Sequence, residues 1–269
     1  MVLLGALALA VPTLVNLGRY YWSTDNGAHG PIILVSGLWL LIWRNEELRF
    51  RPGSISAGWL LLGLPLLLLL TLYGRAFGML GIESAAVYLL LLLLACFYWG
   101  PGTVRRHWVA FVYLAFLIKP PEMLVAEYTQ PLKILISQTA AALLHALDYP
   151  IASSGVLIQV GQYELLVQQA CAGLGSLFTL LVMGLIYVHL VKPQTRTHAI
   201  TLLLAIIPLA LAANFLRVLI LILLTYHVSD GVAQSFAHDL AGMVTFILSL
   251  GGMLLLDALL SRRPRDQRQ

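Results

Sequence analysis

The stretch "WLLLGLPLLLLLTLYG", Trp59 to Gly74, decides the fold class. It carries no charged side chain and no polar face, so as a helix it is apolar all round. A second run, "AAVYLLLLLLACFYW" from Ala85 to Trp99, repeats the pattern. The whole chain of 269 residues is 60% hydrophobic and 10% charged. Soluble domains carry roughly 45–50% apolar and about 25% charged residues. The expectation is therefore an all-α polytopic membrane protein. About 20 apolar residues cross roughly 30 Å of hydrocarbon. On that measure about eight transmembrane helices are predicted, at 1–20, 29–44, 57–74, 84–100, 106–119, 171–191, 198–226 and 238–260. They form a single integral membrane domain over 1–269, with an insert at 120–170. The apolar N-terminus has no basic n-region, which predicts a retained first span rather than a signal peptide.

Lys and Arg set the orientation. With both termini cytoplasmic, eleven of the sixteen fall in inner segments: Arg44, Arg49, Arg51, Arg105, Arg106, Lys192, Arg196, Arg262, Arg263, Arg265 and Arg268. Only Arg19, Arg75, Lys119 and Lys133 fall outside, and Arg217 lies within the seventh span. The insert is then extracytoplasmic. The net charge of +4 reports this bias and is no argument for nucleic acid. The basic tail "SRRPRDQRQ" reads as a solvated cytoplasmic tail, and there is no zinc-knuckle spacing or Gly-rich phosphate loop.

Inside the insert, "PLKILISQTAAALLHALDY" (131–149) predicts an amphipathic helix lying along the outer interface. A ninth span here would reverse every later segment. "VLIQVGQYELLV" (156–167) predicts a β-hairpin turning at Gly161-Gln162, because glycine suits the first position of a two-residue turn. Its second strand leads into "QQACAGLGSL", Gln168 to Leu177, and so onto the outer end of the sixth span.

Ionisable groups in a membrane are costly and mark functional candidates. Cys171 opens the sixth span on the outside, where the positive end of a helix dipole favours thiolate. Ala172, Gly173, Gly175 and Ser176 leave room beside it. Packing alone also accounts for a lone cysteine and small neighbours. Cys96 sits near the inner face, where packing explains it and no disulfide to Cys171 is possible. Arg217, in "NFLRVLILILL", lies about 28 Å along the helix from His198, level with the outer boundary. Asn214 shares its face at i−3; the alternative is an arginine snorkelling to headgroups. His238, in "SFAHDLAGM", begins the last span, with Asp239 placed to cap the helix or orient the ring. Thus a thiol, a cation and an imidazole come from three spans to one face. Cys171 would attack a carbonyl, Arg217 would hold the oxyanion and His238 would move protons.

"ACAGLGSL", "NFLRV" and "AHDLAG", in that order on the last three spans, resemble the exosortase/archaeosortase family. The early "DNGAHGPIILVSGLWLLIW" is similar to that family's His-Gly element before its second span. The resemblance implies Cys171 as nucleophile, Arg217 and His238 as partners, and Asn214 as a supporting residue; Asp239 beside His238 and Gly173 beside Cys171 are supporting candidates from their positions. It implies a membrane cysteine protease/transpeptidase of the bacterial or archaeal cytoplasmic membrane, its site facing outside. Substrates would be membrane-anchored exported proteins ending in a sorting signal: a short Pro-Glu-Pro-like motif, a span and a basic cluster. The acyl group would pass to an acceptor amine, in systems that accompany exopolysaccharide or surface-layer production. No cofactor and no metal is called for. Two positions depart from the family pattern: Ala172 stands where Ser is common, and Gly175 where Arg is expected.

Two other classes remain open. His29, His227, His238 and Asp239 are ligand types for an outer-face zinc protease, although no H-E-x-x-H motif is present. A non-enzymatic transporter or assembly factor would place its polar groups at mid-bilayer, whereas these cluster at one end.

Overall fold

The computed structural model describes residues 2–24, 27–43, 56–166, 174–191, 195–228 and 236–261. Helices dominate, and the chain separates into two compact units, 1–122 and 123–269.

The first unit holds α1 (Val2–Tyr20), α2 (Gly30–Trp43), α3 (Ala57–Ala76), α4 (Leu80–Trp99), α5 (Pro101–Arg106) and α6 (Trp108–Ala115). The two runs that decided the fold class are α3 and α4, joined by a tight turn into an antiparallel pair. They approach so closely that a Cβ on Gly74 would stand 2.6 Å from the backbone nitrogen of Glu83. Ala6, Leu90 and Leu94 form the core between α1 and α4. The outward face of α3 is bare leucine, with Leu62 at 78% exposure. Only lipid makes such a surface tolerable.

Within the expected fifth span at 106–119 the helix is α6, eight residues long, and a break at His107 separates it from the six residues of α5. His107 Nδ1 engages Thr103 O at 2.9 Å, and Gly100 and Pro101 stop the previous helix, so no continuous helix runs through the segment.

The second unit begins with α7 (Glu122–His145), longer at its start than the predicted helix. Three helices in the described residues are long and apolar enough to span: 58–76, 80–99 and 196–227. Shorter apolar helices accompany them at 4–20, 30–42, 181–191 and 247–261. α7 is in neither group, as Glu122, Glu127 and Lys133 along it would lead one to expect. A three-stranded antiparallel meander follows: β1 (Ile151–Ser154), β2 (Leu157–Val160) and β3 (Tyr163–Leu166). The anticipated hairpin is β2–β3, turning at Gly161-Gln162 with Gly161 at φ 57°. β1 adds a strand that the sequence pattern did not announce. Three helices complete the unit: α8 (Leu174–Val191), α9 (Arg196–His227) and α10 (Phe236–Ser261). Thr195 caps α9 by accepting from the His198 N–H at 3.1 Å. α8 and α10 both pack on α9.

Candidate active site

α9 is the element that positions the best-described candidates. Its buried residues, among them Leu202, Ile206, Ala210, Asn214, Arg217, Leu221 and Thr225, recur every three or four positions and form one stripe. Ile200, Leu204, Ile207 and Leu216 occupy the opposite, exposed side. Arg217 and Asn214 therefore face protein, at 6% and 5% exposure. A snorkelling arginine would sit on the exposed side, so that alternative is set aside.

The residue after Arg217 ties the insert to the helix. Val218 and Ile222 join Ile136, Ala140 and Leu144 of α7, with Ile158 and Val160 of β2 and Leu165 of β3, in one buried cluster. The meander thus packs on α9 at the turn that bears Arg217. The same strand alternation that sends Ile158 and Val160 inward leaves Gln159 outside, where its Nε2 donates to Glu164 Oε1 at 2.7 Å.

At the other end of α9 lies a cluster missed by sequence reasoning. His198 Nε2 approaches Asp257 Oδ1 of α10 to 2.8 Å. Tyr187 of α8 donates its hydroxyl to Asp257 Oδ2 at 2.7 Å. One carboxylate thus links three helices. The signal that was available is Asp257 itself, a lone acid in an apolar helix.

This contact also sets a register. Arg217 lies nineteen residues after His198 on α9, and His238 lies nineteen residues before Asp257 on α10. At 1.5 Å per residue, both backbone positions stand about 28 Å from the carboxylate contact. Leu174, the first described residue of α8, stands thirteen residues or about 20 Å from Tyr187.

His238 and Asp239 occupy the first turn of α10, and their side chains lie outside the described residues. Cys171 and Gly173 fall at 167–173, also outside them. By number, Cys171, Arg217 and His238 all belong to the second unit. Of the zinc alternative's residues, His29 belongs to the first unit and the other three to the second. No group of three metal-ligating side chains occurs among the described residues. His227 engages Tyr149 Oη at 3.2 Å and stacks edge-on with Tyr149 and Tyr226. Those contacts give it a packing role at the end of α9.

A family model described as transmembrane exosortase matches residues 21–255, most of the chain. No curated protein and no solved structure matches it.

Proposed function

The chain belongs to the transmembrane exosortase family, and from that premise we propose that it is a cysteine transpeptidase acting on C-terminal sorting signals at the outer face of the cytoplasmic membrane. The observation that carries the reading is Arg217. It is a cation buried with Asn214 on the protein-facing stripe of α9, at the helical level of His238. Ionisable groups within a membrane protein mark functional sites. The guanidinium offers a planar fork of donors that suits the oxyanion of an acyl-transfer intermediate.

In this reading the Cys171 thiol gives its proton to His238 and attacks the scissile carbonyl. The carbonyl electrons move to oxygen, and Arg217 donates to that oxyanion. Collapse breaks the C–N bond, and His238 returns the proton to the leaving amine. The thioester on Cys171 then passes its acyl group to an acceptor amine, which regenerates the thiol. Asn214 steadies Arg217, Asp239 orients His238, and Gly173 keeps the approach to the sulfur open. No cofactor enters. A membrane-anchored substrate diffuses in two dimensions, so its cleavage motif arrives at the depth of these helix ends. β1 and β3 are the edge strands of the meander and offer backbone for an extended substrate. In the antiparallel register, Ser153 and Glu164 turn their N–H groups away from β2. Unchanged processing after Ser153→Pro and after Glu164→Pro would rule out both edges.

The test is co-expression with a tagged substrate ending in a Pro-Glu-Pro motif, a span and an Arg cluster. Wild type trims the tagged protein, and Cys171→Ala leaves it full length. Equal trimming by both would move the metal and non-enzyme readings to the front.

A further inference from the structure

Along its 24 residues α7 has three different sides. Leu132, Ile136, Ala140 and Leu144 make the first, and they pack in one cluster with Val218 and Ile222 of α9. Tyr128, Pro131, Leu135, Thr139 and Ala142 make the second, recurring every three or four positions, and all five are exposed. Tyr128 is 78% and Leu135 59% exposed. The Thr139 hydroxyl donates to Leu135 O at 2.7 Å, so its polarity is met within the helix. Glu127, Gln138 and His145 make the third side, also exposed. At about 100° per residue, the three sides stand roughly a third of a turn apart.

That division restricts where the helix can lie. A helix that packs on its own core and otherwise meets water carries polar residues over the whole remaining arc. On α7 an apolar stripe takes a large part of that arc. A helix crossing the bilayer would carry Glu127, Lys133 and Gln138 through hydrocarbon, and α7 is not among the described helices apolar enough to do so. Protein on one side, an apolar stripe on the second and polar groups on the third suit the boundary between lipid and water. Glu122 pairs with Lys119, and Glu127 and Lys133 balance in sign, so apolar area rather than headgroup charge would hold the helix there.

α9 supplies the height. It is long and apolar enough to span. Counted from Arg196, its first residue, about 30 Å of hydrocarbon takes about 20 residues and ends near Leu216. The lipid-facing side chains end at the same place: Ile200, Leu204, Ile207 and Leu216 are exposed, and the next large exposed side chain on α9 is Tyr226. Val218 and Ile222, where α7 packs, follow directly. α7 thus meets α9 where the hydrocarbon ends.

We propose that α7 lies flat in the membrane interface at the Arg217 end of α9, with the stripe of Tyr128, Leu135 and Ala142 set into the acyl-chain boundary. The helix thereby fixes the height of the meander and of the α9 turn that bears Arg217, because all three share one buried cluster. The placement holds whether or not that turn catalyses.

The experiment uses the full chain in phosphatidylcholine nanodiscs. Single nitroxides are introduced by Tyr128→Cys, Leu135→Cys, Ala142→Cys, Gln138→Cys or His145→Cys in a Cys96→Ala, Cys171→Ala background. All five labelled positions are exposed, so the labels leave the packing intact. Collision rates with oxygen and with a water-soluble nickel chelate report the depth of each label. Labels at Tyr128, Leu135 and Ala142 are expected at one common depth, about 5–10 Å below the headgroup boundary. Labels at Gln138 and His145 are expected above it, open to nickel. Tyr128 and Ala142 stand about 21 Å apart along the helix, so depths differing by most of that length mean a crossing helix and overturn the proposal. Free nickel access at all five positions overturns it too. So does dipolar broadening at Leu135, which would put a second copy of the chain on the stripe.

Discussion

Arg217 is where residue-scale physics speaks most directly. Lysine keeps its charge but loses the planar fork that can hold an oxyanion with two donors. Arg217→Ala is expected to lower the processing rate by about 10²–10³, the usual effect of removing an oxyanion donor. Arg217→Lys should fall between wild type and alanine. The check is the rate of substrate trimming per folded enzyme, with folding followed by gel filtration of a fluorescent fusion. Rates unchanged by both substitutions would remove Arg217 from the chemistry. The side of the helix it occupies was legible beforehand, because Asn214 three residues earlier marked a polar face. Its paired contrast is Glu83, a buried carboxylate that joins Thr13 at 2.8 Å and Arg75 at 2.9 Å. Nothing local announces that partnership, since Thr13 and Glu83 are seventy positions apart.

At the scale of elements, Asp257 holds α8, α9 and α10 through Tyr187 and His198. Removing the carboxylate leaves a half-buried phenol and a buried imidazole without it. Asp257→Ala is therefore expected to cost about 1.5–3 kcal/mol, the range for hydrogen bonds to a charged group. Unfolding of the purified protein by titration from mild into denaturing detergent measures it. Processing should fall too, although the substitution lies about 28 Å along the helices from Arg217 and His238. A variant as stable as wild type would show that apolar packing alone sets the register. The hairpin at Gly161-Gln162 was readable because glycine there supplies the positive φ of the turn. β1 was not, because "IASS" carries no alternation and gains its strand only by pairing with β2. The boundary near His107 was readable from the change from Arg105-Arg106 to apolar residues, whereas the early end of α6 at Ala115 was not, because apolar residues continue past it.

At the scale of the whole molecule, charge and apolar runs carry the account. Composition alone gave a helical membrane protein, and the bare leucine face of α3 agrees with it. The topology rests on the excess of Lys and Arg on one side, so it predicts a cytoplasmic C-terminus. A green fluorescent protein fused after Gln269 should fluoresce in cells, and alkaline phosphatase fused there should be inactive. The reverse pattern would mean an odd number of crossings, with α7 crossing as a ninth span or the segment 106–119 not crossing.

The central claim is that Cys171 carries the acyl group, and trapping that intermediate tests it most directly. Enzyme and tagged substrate are co-expressed, quenched in acid and digested, and the Cys171 peptide is weighed by mass spectrometry. The account predicts a substrate-derived adduct on Cys171 that hydroxylamine releases. The adduct should vanish in Cys171→Ala and persist in Cys96→Ala. Cleavage that continues in Cys171→Ala, with no adduct in wild type, would contradict it.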